Sequence, residues 1–276
     1  MKLYNGATSK GRVKLAVFDW AGTTVDFGCQ APVEAFLAGF KAKGIDMDAQ
    51  TARGPMGVEK RDHIKTLTEL PEVKNQWRQI HGRAIREEDI DSMYDEFVPH
   101  LLAVLKDDTR LIPGVRDASN TLKKMGIKIG STTGYFKEAA DFVIAAAAEQ
   151  GFRPEVSICS TDVANGRPQP WMIYRVMEAF NICPPAQVVN IGDTEVDIQA
   201  AQNAGVWAVG VAATGNEMGL TEAKWRSLDS TDRNMKLAAI QKRLFEAGAH
   251  WVIDTLEELP SIIEEIDNLL ANGHSP

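Results

Sequence analysis

The sequence predicts an α/β fold: a parallel sheet core with helices on both faces, plus a small all-helical cap inserted after the first strand. Three observations carry that expectation. The apolar run Leu15 to Phe18 has the length of a buried strand and stops at Asp19, where small turn-forming residues follow at once. Between Asp26 and Asp107 every periodic stretch has helical spacing, with no strand pattern. After Pro113-Gly114, strands and helices alternate to the end of the chain, a pattern that implies a parallel sheet covered on both sides. The expected division is a core of residues 1–26 and 108–276 around a cap of residues 27–107.

Taken in order, Met1 to Lys14 carries Lys2, Lys10, Arg12 and Lys14 without an apolar signal-peptide segment, and is expected to be a frayed lead-in to the first strand. In the cap, Val33, Phe36, Leu37 and Phe40 line one face of a helix over Pro32 to Lys43. Ala52 to Gly57 interrupts the pattern. Val58 to Leu70 reads as the next helix, Pro71 suits the first position of another, and Glu87 to Leu105 is a long amphipathic helix. Past the Pro-Gly pair, a helix from Asp117 to Met125 precedes a strand from Ile127 to Ser131, which runs into Thr132-Thr133-Gly134-Tyr135. An Ala-rich helix, Lys137 to Gln150, and a short strand, Val156 to Cys159, follow. The loop Gly166-Arg167-Pro168-Gln169-Pro170-Trp171 leads into a helix reaching Phe180. The strand Gln187 to Ile191 runs into Gly192-Asp193-Thr194. The remaining elements are helix Val196 to Ala204, strand Val206 to Val211, helix Ser230 to Ala247, strand His250 to Ile253 and helix Leu256 to Leu270. Glu257, Glu258, Glu264, Glu265 and Asp267 of the last helix are most simply a solvated face.

A chain of 276 residues, 44% of them hydrophobic, can bury a sizeable core. The net charge of −8 with no basic cluster argues against nucleic acid as a partner. It leaves room for a phosphoryl anion, provided metal ions, Lys, Arg and amide dipoles are concentrated locally. Cys29, Cys159 and Cys183 are sparse and odd in number, which gives neither a disulfide framework nor zinc spacing and points to the cytoplasm. No apolar run approaches the ~20 residues needed to span a membrane.

Right-handed crossovers bring the carboxyl ends of parallel strands to one rim, where open α/β sheets bind ligands. Three of those ends carry Asp19, Thr132/Thr133 and Asp193. A carboxylate there can attack phosphorus and become an aspartyl phosphate, although a turn-forming Asp explains the position as well. The helical insertion leaves the sheet at the same rim, so it can sit over the site as a lid.

Asp19 on a strand end, Thr132/Thr133 on a second, Arg167 before a helix, and Gly-Asp193-Thr-x-x-Asp197 after a third resemble the haloacid dehalogenase superfamily of phosphotransferases. The likeness spans roughly Lys14 to Ala213 and implies a Rossmann-like core. Within that superfamily, Asp-Trp-Ala-Gly-Thr-Thr-Val-Asp, Pro55 to His63, Gly-Ser-Thr-Thr-Gly-Tyr and Gly-Arg-Pro-Gln-Pro-Trp are similar to the phosphonatase family. That likeness runs nearly end to end. It implies hydrolysis of phosphonoacetaldehyde to acetaldehyde and phosphate in 2-aminoethylphosphonate degradation, by a homodimer using Mg²⁺.

The resemblance assigns roles residue by residue. Asp19 attacks phosphorus. Asp193, an Asp19 oxygen and a backbone carbonyl near Ala21 hold Mg²⁺, and Asp197 holds a metal-bound water or fixes Arg167. An early-helix carboxylate favoured by the dipole is the plain alternative for Asp197. Thr133 donates to a phosphoryl oxygen, and Arg167 supplies a bidentate cation, a surface ion pair being its plain alternative. Phosphatases and mutases of the superfamily usually carry a second Asp at the position of Ala21, which protonates an alcohol leaving group. Lys60 forms a Schiff base with the aldehyde, so that the carbon–phosphorus bond breaks to an enamine instead of a carbanion. His63, three residues on and on the same helix face, can shuttle protons, a helix-face histidine with no role being its plain alternative. Met56, Gly57, Cys29 and Tyr135 line the substrate site. Plain packing explains Met56, and burial as a small hydrophobe explains Cys29 nearly as well. A phosphomonoesterase or phosphomutase, and a non-catalytic phosphoryl-binding protein, stay open as alternatives; Ala21 speaks against the first, and Asp19 with Lys60 against the second.

Overall fold

The computed structural model describes residues 11–106 and 109–276. Residues 1–10, most of the expected lead-in, lie outside them, as do residues 107 and 108, where the expected second cap boundary falls. Val13 is buried and donates its N–H to the Asp267 carboxylate at 2.7 Å, and the Lys14 N–H reaches the Gln187 carbonyl at 2.8 Å. The expected fraying therefore does not extend to these two residues, because the backbone groups ahead of the first strand already have partners. Asp267 is correspondingly half-buried and departs from the solvated face expected of its helix.

The first strand, β1 (Leu15–Phe18), lies in the middle of a six-stranded sheet. The other strands are β2 (Lys128–Thr133), β3 (Val156–Cys159), β4 (Val188–Gly192), β5 (Trp207–Val211) and β6 (Trp251–Ile253). Their order is β3-β2-β1-β4-β5-β6, and every pairing is parallel. Register sets Phe18 beside Ser131 on one side and Ile191 on the other, so the residues after β1, β2 and β4 emerge together.

Alternation along β1 divides the core into two layers. Ala16 and Phe18 pack with α6 (Val115–Lys124), α7 (Lys137–Glu149) and α12 (Leu259–Ala271). Leu15 and Val17 pack with α8 (Trp171–Phe180), α9 (Glu195–Ala204) and α11 (Ser230–Glu246). Helices thus cover both faces, as the near-continuous apolar strands require.

Between β1 and β2 lie α1 (Gln30–Ala42), α2 (Ala49–Arg53), α3 (Lys60–Thr68), α4 (Pro71–His81) and α5 (Glu87–Leu105), with no strand among the described residues. Phe36 of α1 stacks on Phe97 of α5 at 4.5 Å between ring centroids. Pro71 is the first residue of its helix, and Gly82 ends that helix in the left-handed region. Two helices escape the periodicity: α2, where the pattern is expected to break, and α10 (Glu222–Ser227). Both are shorter than two turns, too short to show a hydrophobic face. Helix α3 starts at Lys60, two residues after the expected Val58, because Gly57 is left-handed at φ 94° and Glu59 is extended at ψ 142°. The insertion closes at a neck: Val25 and Leu111 form an antiparallel bridge, and the Ile112 N–H reaches the Thr24 carbonyl at 2.9 Å.

Candidate active site

Asp19 follows β1 directly and is 6% exposed. The chain then folds into a tight loop, with the N–H groups of Thr24 and Val25 bonded to the Trp20 carbonyl at 2.8 and 3.0 Å. Gly22 stands in that loop at φ 85°; a Cβ there would lie 2.5 Å from Asp193 Oδ2 and 2.6 Å from Cys29 Sγ. Only glycine permits this approach of the loop to the carboxylate.

Asp19, Asp193 and Asp197 are buried, with one oxygen of each within 4.8 Å of the others. Asp193 Oδ1 accepts from the Thr23 hydroxyl at 3.0 Å, and Oδ2 from the Asn216 N–H at 2.7 Å and from Cys29 Sγ at 3.6 Å. Asp197 sits in the first turn of α9, where Thr194 caps the helix; the Thr194 hydroxyl donates to Asp197 Oδ2 at 2.5 Å. Arg167 Nη1 lies 2.7 Å from Asp19 Oδ1 and 2.8 Å from Asp197 Oδ1. Its Nη2 donates to the Thr132 carbonyl and hydroxyl at 2.9 and 2.8 Å. Arg167 is 6% exposed, which removes the surface ion pair as an account of it. Thr133 Oγ1 accepts from the Tyr135 N–H at 3.1 Å, leaving its proton to donate elsewhere.

Burial, then the charges of Asp19 and Asp197, pushes the Asp193 carboxyl well above the usual carboxylate range. Burial also lifts Asp197, to about 6, against the pull of Arg167. For Arg167 itself burial acts downward, but Asp197 and Asp19 outweigh it and raise the guanidinium. Three buried carboxylates facing one guanidinium leave surplus negative charge in a dry space. That surplus, made of hard oxygen donors, fits a divalent cation.

The amine approaches from the insertion. Lys60 is 3% exposed and has no ion pair among the described residues. Its Nζ lies 3.9 Å from Met56 Sδ, 5.1 Å from the Tyr135 ring centroid and 5.9 Å from that of Phe36. Burial lowers its pKa to about 8, with Arg167 adding to the shift while Cys29 and Asp19 oppose it. His63, one turn on, is fully buried, and its Nε2 lies 2.8 Å from the Ala52 carbonyl. A carbonyl only accepts, so the proton is assigned to Nε2. Nδ1 is then the acceptor, and it is buried without a hydrogen-bond partner. Burial, then Lys60, holds this imidazole well below its usual pKa, so it is neutral.

Two glycines let insertion and core meet. A Cβ on Gly57 would lie 2.5 Å from Thr194 Oγ1 and Val196 Cγ2, and one on Gly134 would lie 2.6 Å from the Val58 carbonyl oxygen. Asp19, Thr133, Arg167, Asp193 and Asp197 thus share the rim, Met56, Gly57 and Lys60 face it from the insertion, and Cys29 and Tyr135 lie between; His63 stays inside the insertion, its ring 3.9 Å from that of Phe36. Ala21, half-buried, has only its backbone to offer. Sequence reasoning missed Thr23, Asn216 and Arg53. Thr194 was legible, as the first residue of a Thr-x-x-Asp capping pattern.

A family model described as haloacid dehalogenase-like hydrolase matches residues 13–205. The phosphonoacetaldehyde hydrolase of Syntrophobacter fumaroxidans is 43% identical over 266 residues, covering 96% of each chain. That of Bacillus cytotoxicus is 42% identical over 256 residues, covering 93% of this chain and 97% of its own. The crystal structure of a phosphonoacetaldehyde hydrolase-like protein from Oleispira antarctica superimposes with a TM-score of 0.97 at 37% identity over the whole of both chains. Structures of putative β-phosphoglucomutases and phosphoglycolate phosphatases, at 16–22% identity, share the fold alone. The chain belongs to the haloacid dehalogenase-like hydrolases, in the group of the curated phosphonoacetaldehyde hydrolases.

Proposed function

We propose that this enzyme hydrolyses the carbon–phosphorus bond of phosphonoacetaldehyde to acetaldehyde and phosphate, in 2-aminoethylphosphonate degradation. The observation that carries this reading is the pairing of a buried amine, lowered to about 8, with a phosphoryl-transfer rim that has alanine at position 21. Such a site lacks the acid for an alcohol leaving group and holds the nucleophile for a carbonyl.

Neutral Lys60 attacks the aldehyde carbon, and loss of water gives an iminium. His63 Nδ1 is the local base for the proton transfers of that step. Asp19 attacks phosphorus; the carbon–phosphorus electron pair moves into the iminium, leaving an enamine on Lys60 and an aspartyl phosphate. Protonation of the enamine carbon and hydrolysis of the imine release acetaldehyde. A water then cleaves the aspartyl phosphate. One water is released and two are consumed, so the net reaction uses one. Thr133 and Arg167 hold the transferring oxygens, and Asp197 fixes Arg167. Asp19, Asp193 and the Ala21 carbonyl would hold Mg²⁺, which would supply positive charge to those oxygens. The cap is assigned to residues 27–107, with Met56, Gly57, Cys29 and Tyr135 enclosing the aldehyde end. The protein is placed in the cytoplasm as a homodimer. Free cysteines at all three positions support the compartment, and no helix among the described residues is long and apolar enough to cross a membrane.

Acetaldehyde release, coupled to an alcohol dehydrogenase, is expected from the wild type and absent from Lys60→Arg. Borohydride added with substrate is expected to inactivate the enzyme and mark Lys60. Rapid turnover of simple phosphate esters by a fully active Lys60→Arg protein would instead favour the phosphomonoesterase.

A further inference from the structure

Arg53, the last residue of α2, is 6% exposed, and its guanidinium leaves the insertion to bond the core. Nη1 donates to the Gly28 carbonyl at 2.6 Å, the Cys29 carbonyl at 3.3 Å, and Asn216 Oδ1 and O at 3.3 and 3.5 Å. Nη2 donates to the Gly219 carbonyl at 3.3 Å. Asn216 returns a bond from Nδ2 to the Arg53 carbonyl at 3.2 Å, while its own N–H holds Asp193 Oδ2. Gly219 packs flat against the guanidinium; a Cβ there would lie 3.0 Å from Nε.

These bonds join three places. Gly28 and Cys29, both at positive φ, are where the chain enters the first helix of the insertion. The segment through Asn216 holds the candidate metal ligand Asp193. Ala52, the residue before Arg53, gives its carbonyl to His63, one turn from Lys60. A continuous path of bonded groups therefore runs from Asp193 through Asn216 and the end of α2 to the helix that carries the amine. The acceptors of the guanidinium are four backbone carbonyls and one amide oxygen, all neutral. Its charge is therefore not neutralised by these partners. Burial lowers its pKa, the direction expected for a cation taken out of water. The forked donors offset that cost only while the carbonyls converge, so the contact reports the closed arrangement.

We propose that Arg53 is a positioning residue that latches the insertion onto the core and fixes Lys60 over the carboxylate rim. This rests on the assignment of Lys60 as the imine-forming amine, and goes beyond it by naming what sets the amine's place.

The test is Arg53→Ala with and without millimolar guanidinium, read in two ways. The first is KM and kcat for phosphonoacetaldehyde. The second is the rate at which trinitrobenzenesulfonate, a bulky amine reagent, labels Lys60 in resting protein, located by peptide mass. The latch predicts a roughly tenfold to hundredfold loss in kcat/KM, chiefly through KM, together with faster Lys60 labelling. Guanidinium restores both. Arg53→Lys, which keeps the charge but not the fork, falls between and serves if the alanine variant does not fold. Wild-type KM with undiminished protection of Lys60 would overturn the proposal. So would a lost activity that guanidinium does not restore while Lys60 stays protected, since that is the pattern of a merely structural residue. Labelling needs no turnover, so failure of the carbon–phosphorus chemistry would be seen separately.

Discussion

Lys60 shows how much a single burial can do. In the unfolded chain its amine has the ordinary value of 10.5, and in the folded protein about 8. Below pH 8 both states are protonated and folding carries the full cost of the buried charge. Between about 8 and 10.5 only the unfolded state still holds the proton, so stability rises with pH. The difference corresponds to about 3 kcal/mol at full burial. Lys60→Met is expected to be more stable than wild type at pH 7.5 by up to that amount and to lose the rise, which urea unfolding at pH 7.5 and 9.5 will show. With Lys60 as the proposed imine-forming amine, the same titration predicts that kcat/KM of the wild type climbs through pH ~8, because an amine attacks a carbonyl only when neutral. The buried positions of Asp19, Lys60, Arg167 and Asp193 were legible in the sequence because each stands in a short motif beside a strand end or a helix start. Arg53 was not. Its acceptors are mostly backbone carbonyls of distant loops, and a carbonyl leaves no mark on the amino-acid sequence.

At the scale of elements, periodicity located the strands and the long helices, since each presents a face to one of the two core layers. It could not place α2 or α10, which are shorter than the repeat that would reveal them. Nor could it place the start of α3, which is set by the backbone of Gly57. That glycine is worth testing. Gly57→Ala puts a methyl 2.5 Å from Thr194 and Val196 at a left-handed backbone position. The strain is roughly 1–2 kcal/mol from φ alone, and the clash opposes docking of the α3 loop. A folded protein with a modestly lowered melting temperature and a severalfold higher KM is expected in calorimetry and steady-state assays. Phe97→Ala removes a ring stacked between α5 and α1. It should cost ~3–5 kcal/mol and uncouple cap from core, visible as a second, earlier transition in thermal unfolding.

Across the whole molecule the chemistry is split between two bodies. In the mechanism proposed above, the rim of the sheet transfers phosphorus and the insertion activates carbon. The division predicts that the halves fail separately. Protein stripped of divalent ions by a chelator is expected to release no phosphate, yet still to trap acetaldehyde on Lys60 when borohydride is added. Added Mg²⁺ should restore turnover. Parallel alternation in the second half of the sequence made the sheet legible, and the long helical stretch after β1 made the insertion legible. The closeness of the two was not, because it depends on glycines at positions 57 and 134 whose role appears only when the opposing surface is present.

The neck at Val25 and Leu111 has a consequence for how such a protein can change. The outgoing and returning segments are stitched together before the insertion begins, so the order and register of the strands do not depend on the length of chain threaded through that gap. A different cassette of helices, grafted between the same two stitches, would find the same carboxylate rim beneath it and would have to bring its own contacts to that rim.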